Sequence, residues 1–192
     1  MRKSYLLFLL LIVLFQSCDF FRTRTPEAPN ESNINYPPPT TPQTLMDNFI
    51  KSFNQKNLTM YQSCFDNSTA FHFYPSSDAL AIYSNIFQSW NITSEISFAK
   101  NLFSKFSNQE FPSMTFTTSS ISYYSTDSTV FIADYEVSIN SRDNSINNLY
   151  KGTSQFVLVI NNSGLWNIVR WSDFNKQMDN FQTISFLKAK LY

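Results

Sequence analysis

Apolar residues recur with a period of 3.6 through residues 42–106 and with a period of 2 from residue 114 to residue 173. A single change of period, in that order, restricts the chain to helices first and strands after. Such a chain packs as an α+β domain with its helices on one face of the sheet. Thr41-Pro42 starts the first helix with a hydroxyl cap and a proline at the first helical position. Leu45, Met46, Phe49, Ile50 and Phe53 form its apolar face, and Lys56-Asn57 ends it. Leu58, Tyr61, Cys64 and Phe65 make a second short helix, and Phe71–Tyr74 a short strand stopped by Pro75. Asp78 caps a helix carrying Leu80, Ile82, Tyr83, Ile86, Phe87 and Trp90. Thr93 caps the next, with Glu95 near its positive end and Ile96, Ala99, Leu102, Phe103 and Phe106 on the buried stripe.

Four strands are predicted after that: Met114–Tyr124, Val130–Ile139, Leu149–Ile160 and Leu165–Asp173. Their short connections favour an antiparallel meander. Ile184–Leu191 adds a C-terminal helix. In the strand Val130–Ile139 the alternation is clear: Phe131, Ala133, Tyr135, Val137 and Ile139 face inward while Asp134 and Glu136 face solvent.

The first 17 residues are a different element. Arg2-Lys3 precede an apolar run from Tyr5 to Phe15, too short for a membrane-spanning helix of about 20 residues, so residues 1–17 read as a secretory signal. Leu14-Phe15-Gln16-Ser17-Cys18 resembles the lipobox of bacterial lipoproteins, in which the cysteine is diacylated. That places the chain in the bacterial cell envelope, held on a membrane by its N-terminal lipid. The alternative is an ordinary signal followed by a Cys18–Cys64 disulfide. With Cys18 lipidated, Cys64 is a lone, buried, apolar-like thiol. Residues 18–41 carry Pro26, Pro29, Pro37, Pro38 and Pro39 among polar residues and read as an extended, disordered tether. The folded domain is then 42–192.

Composition removes whole classes of function. Lysine and arginine number 14 against 14 acidic residues, so no basic surface is available for nucleic acid. Two glycines cannot supply a phosphate-cradling loop, and two cysteines with one histidine cannot build an ordinary zinc site. No cofactor, metal or catalytic residue is therefore assigned.

Tyr61, the Phe71-His72-Phe73 strand, Trp90 with Glu95, Leu102-Phe103, the Tyr135 strand, Tyr150-Lys151-Gly152 and the ending Trp166-Asn167-Ile168-Val169-Arg170-Trp171-Ser172-Asp173 together resemble the nuclear-transport-factor-2-like superfamily, in particular its bacterial lipoprotein members. The resemblance covers about residues 41–192. It implies a cone: a curved antiparallel sheet wrapped around the N-terminal helices, with a cavity at the open end. Superfamily members include isomerases, dehydratases and non-enzymatic binding modules, so fold does not choose among them.

The residues placed around such a cavity are Trp90, Tyr135, Trp166 and Trp171, with Arg170, which shares the parity of Trp166 and Ile168, pointing inward either to pair with Glu95 or to recognise an anionic ligand. His72 is out of phase with Phe71 and Phe73 and is expected on the surface. Asp173 reads as a strand-end carboxylate at the cone mouth. With no carboxylate secured on the inner face, none is expected to titrate above about pH 6. The reading is a non-catalytic cone that binds a small apolar ligand or a protein partner. A proton-transfer enzyme, or a structural accessory pairing with a second copy through the outer face of its sheet, are the alternatives.

Overall fold

The computed structural model of the protein describes residues 36–66, 71–123, 125–140, 146–176 and 180–192. Cys18, the signal segment and most of the assigned tether lie outside them, as does Tyr124 at the end of the first long predicted strand. Helix α1 (Pro42–Asn54) starts where Thr41 Oγ1 accepts the Thr44 N–H at 3.1 Å, and it buries Leu45, Met46, Phe49 and Phe53. It ends because Lys56 turns left-handed at φ 53° and the Asn57 N–H reaches back to the Ser52 carbonyl at 2.9 Å. The Asn57 side chain then caps α2 (Leu58–Ser63). β1 (His72–Tyr74), α3 (Ser77–Phe87) and α4 (Ile92–Ser104) follow. In α3 only Ala79 and Phe87 are buried, and the helix kinks at Tyr83. Leu80 and Ile82, expected on its buried face, are exposed.

Strands β2 (Ser113–Tyr123), β3 (Ser128–Ser138), β4 (Leu149–Ile160) and β5 (Trp166–Phe174) form the expected antiparallel meander. β1 joins the free edge of β5 in parallel, giving the order β1-β5-β4-β3-β2. The inward residues of β3 and β4, among them Phe131, Tyr135, Val137, Tyr150, Phe156 and Leu158, are buried against the helices. Asp134 and Glu136 lie on the outer face as alternation requires, paired with Lys176 at 2.9 Å and Lys151 at 2.6 Å. Helix α5 (Ile184–Leu191) closes the domain, and it is buried on nearly every side, from Ile184 through Ala189 and again at Leu191.

Two expectations need correction. The segment assigned to the tether up to residue 41 is docked from Tyr36 onward: the Pro37 carbonyl accepts from Asn48 at 2.8 Å and the Pro39 carbonyl from the Trp166 N–H at 2.9 Å. Arg170 points out to solvent. In the β4–β5 ladder Val157 pairs with Arg170 but Leu158 pairs with Ile168, so Val169 is the extra residue of a β-bulge. A bulge reverses the inward parity of everything beyond it. Trp166 and Ile168 face the core before it, and Trp171 and Asp173 after it.

Candidate functional site

Helix α4 begins two residues before the expected Thr93 cap: Asn91 Oδ1 accepts the N–H groups of Thr93 and Ser94 at 2.9 and 3.3 Å. Glu95 then shares the buried face with Phe98, Ala99 and Leu102, and it is wholly removed from solvent. Its carboxylate accepts from Tyr61 Oη at 2.7 Å, from Trp90 Nε1 at 2.9 Å, and from the ammonium of Lys188 on both oxygens. Lys188, not Arg170, is thus the partner of Glu95. Lys188 is also fully buried. Its Nζ lies 4.0 Å from the centroid of the Trp171 ring, 4.2 Å from Phe73, 4.9 Å from Phe98 and 5.4 Å from Trp90. Burial pushes the ammonium down to about 8, against the pull of Glu95 and Asp173.

Asp173 forms the second interior carboxylate. It too is buried, accepting from Tyr135 Oη at 2.7 Å, from the Ser185 N–H at 3.0 Å and from the Ser185 hydroxyl. Tyr135 Oη in turn accepts the Ile184 N–H at 2.8 Å. Asp173 and Tyr135 therefore satisfy the first N–H groups of α5, a role that Thr183 at the cap position does not fill with its own side chain. Burial raises the Asp173 carboxyl above the usual carboxylate range. The expectation that no carboxylate is secured on the inner face therefore fails twice, for Glu95, which stands on the helical stripe of Ala99 and Leu102, and for Asp173 through the bulge in β5.

A raised carboxyl is what acid–base catalysis requires, but Oδ1 of Asp173 is taken up by Tyr135 and Oδ2 by Ser185 at the start of α5. Among the described residues every buried side-chain nitrogen or oxygen has a hydrogen-bond partner. No group of three His, Cys, Asp or Glu side chains among them is placed to hold a metal. Cys64 is buried with a free thiol that burial raises to about 12, as an inert core residue should be.

Of the aromatics expected around a cavity, Trp90 and Trp171 meet at Lys188, Tyr135 holds Asp173, and Trp166 is packed in the core. A concavity open to solvent lies outside the cone, beside edge strand β1. It measures about 600 Å³ and is lined chiefly by His72, Tyr74, Leu80, Phe87, Trp90 and Ile92. His72 is exposed there, as expected from its parity. Lys188 is the site residue that sequence reasoning missed. Its signal is spacing: it follows Ile184 by four residues and so falls on the apolar stripe of its own helix.

Helices held in the hollow of a curved, mostly antiparallel sheet define a cone-shaped α+β domain. The fold is that of the nuclear-transport-factor-2-like superfamily. A protein of that superfamily from Salmonella enterica superposes with a TM-score of 0.50 at 15% identity, covering 71% of this chain and 90% of that one. A proposed aromatic ring hydroxylase from Novosphingobium aromaticivorans gives 0.54 at 16% identity, over 77% of this chain and 92% of its own. A proposed calcium/calmodulin-dependent protein kinase II association domain from Xanthomonas campestris gives 0.54 at 13%, over 71% and 86%. No protein-family model and no curated protein sequence matches the chain. At these identities the likeness establishes the fold, and function has to be argued from the site.

Proposed function

We propose that the protein is a lipid-anchored component of the cell envelope whose cone is a non-catalytic binding module, and that its ligand is a small apolar molecule received in the groove beside β1. The observation that carries the non-catalytic reading is the saturation of the interior: Glu95 and Asp173 have their oxygens committed to Lys188, Tyr61, Trp90, Tyr135 and Ser185. A general acid or base must reach a substrate proton, and both carboxylates are buried with each oxygen already accepting from a donor of the domain itself. The groove has what the interior lacks. Its volume of about 600 Å³ falls within the usual range for small-molecule sites, and its wall is apolar with a few polar groups.

A neutral fluorescent probe, N-phenyl-1-naphthylamine, should bind the protein saturably and accept energy from Trp90 at the groove wall. Leu80→Asp and Leu80→Arg should each weaken that binding at least tenfold without changing the unfolding midpoint, since Leu80 is exposed. Probe binding that survives both substitutions would place the ligand elsewhere. Anchoring rests on the lipobox. In cells fed labelled palmitate, the wild-type chain should incorporate label and Cys18→Ser should not, accumulating instead as uncleaved precursor. Equal labelling of the two would remove the lipid anchor from the proposal.

A further inference from the structure

The surroundings of Lys188 form a complete cation site whose walls owe nothing to α5. Glu95 is aimed by Tyr61 from α2 and by the indole of Trp90. The four rings come from β1 (Phe73), the α3–α4 turn (Trp90), α4 (Phe98) and β5 (Trp171). They brace one another: Phe73 stands edge-on to Trp171 at 5.4 Å between centroids and lies 5.8 Å from Trp90, which lies 6.5 Å from Phe98. Only the cation arrives on another element. Without it, a buried carboxylate supported by two neutral donors would be left with its charge uncompensated.

The chemistry of the walls says which cation satisfies it. Ring faces attract an organic ammonium, whereas a divalent metal would require several more oxygen ligands than one carboxylate and one phenol supply. Both Glu95 oxygens accept from Nζ, so the ammonium must carry N–H groups, which a quaternary ammonium lacks. We infer that the interior of the cone is a preformed recognition site for a primary alkylammonium group, and that Lys188 of α5 is its tethered occupant. This site shares the rings of Phe73 and Trp90 with the wall of the groove beside β1, and its test reads occupancy of the ammonium position beside Glu95, not binding in that groove.

Lys188→Ala retains the β-carbon, so what it removes has the size and charge of n-propylammonium. In the full chain carrying this substitution, n-propylammonium at pH 7 should raise the thermal midpoint saturably, while 1-propanol and tetramethylammonium at equal concentration should not. The wild type, with its site filled, should not respond, and Lys188→Ala combined with Glu95→Gln should lose the response. If Lys188→Ala does not fold unaided, the titration is run as refolding from urea, and recovery of the cooperative transition with n-propylammonium alone is the expected result. A void that merely wants filling would respond to propanol as well. Equal stabilisation by propanol or tetramethylammonium, an equal response of the wild type, or no response to n-propylammonium in either format would overturn the inference.

Discussion

Gly152 sits opposite Tyr135 in the β3–β4 ladder, and a β-carbon there would stand 2.6 Å from Tyr135 Oη and 2.8 Å from the Phe174 carbonyl. The tyrosine ring lies across the glycine because its hydroxyl must reach Asp173 and the start of α5. Gly152→Ala should therefore displace Tyr135 and destabilise the domain by about 1–3 kcal/mol, the usual cost of overpacking a filled core. Gly164, the other glycine, has φ 75° but open space around it, so Gly164→Ala should cost only the backbone strain, about 1 kcal/mol. Urea midpoints of the two variants test the order, and an equal loss would mean that the contact over Gly152 yields freely. At this scale the sequence was partly legible. Tyr135 was assigned inward from alternation alone, but its partner could not be, because hydrogen bonds across the sheet join residues 38 positions apart.

Strand β5 shows how one inserted residue redistributes roles along an element. Val169 resets the parity, so Trp171 enters the cage around Lys188 and Arg170 leaves the interior. Trp171→Ala should cost about 3–5 kcal/mol, as for other large buried aromatics. Arg170→Ala should change stability by less than about 0.5 kcal/mol, as at other exposed sites. Chemical denaturation measures both, and a large loss for Arg170→Ala would restore it to the interior. Element positions themselves were readable, since α1, α2 and the meander strands fall close to where the periods put them. The bulge was not readable: Trp166 to Trp171 contains no glycine or proline to announce it. The start of α4 was misread because Asn91 and Thr93 are both good caps, and only the folded helix shows that it is Asn91 whose side chain accepts the first-turn N–H groups.

Over the whole molecule, the buried ionisable groups set a definite alkaline profile. Lys188 ionises at about 8 in the folded state against an ordinary 10.5, so between those values the unfolded chain holds more protons and stability rises with pH. Cys64 is raised from 9.0 to about 12, so its contribution is complete below 9.0 and is lost as pH rises above it. Tyr61 and Tyr135 are raised well above 10.0 by burial and neighbouring carboxylates, and Tyr150 to about 12, with losses of the same sign beginning near 10.0. The unfolding free energy should thus climb by about 0.5 kcal/mol between pH 8 and 9 and fall beyond about pH 9. Urea titrations at unit pH intervals check this, and Lys188→Met should abolish the rise while leaving the fall.

What the sequence determined by itself was the order and type of the elements, the α+β class, and the outward face of Asp134 and Glu136. These follow from local rules, in which backbone hydrogen bonds and side-chain alternation tie each residue to near neighbours. Tertiary structure alone decided the parallel docking of β1, the parity beyond Val169, and the meeting of Glu95 with Lys188 across 93 residues. It also decided that α5, whose serine and two lysines suit a surface helix, is enclosed instead. The physical reason is common to all of these. A buried charge is tolerable only where its counter-charge and donors converge, and that convergence belongs to the packed domain and to no segment of the chain.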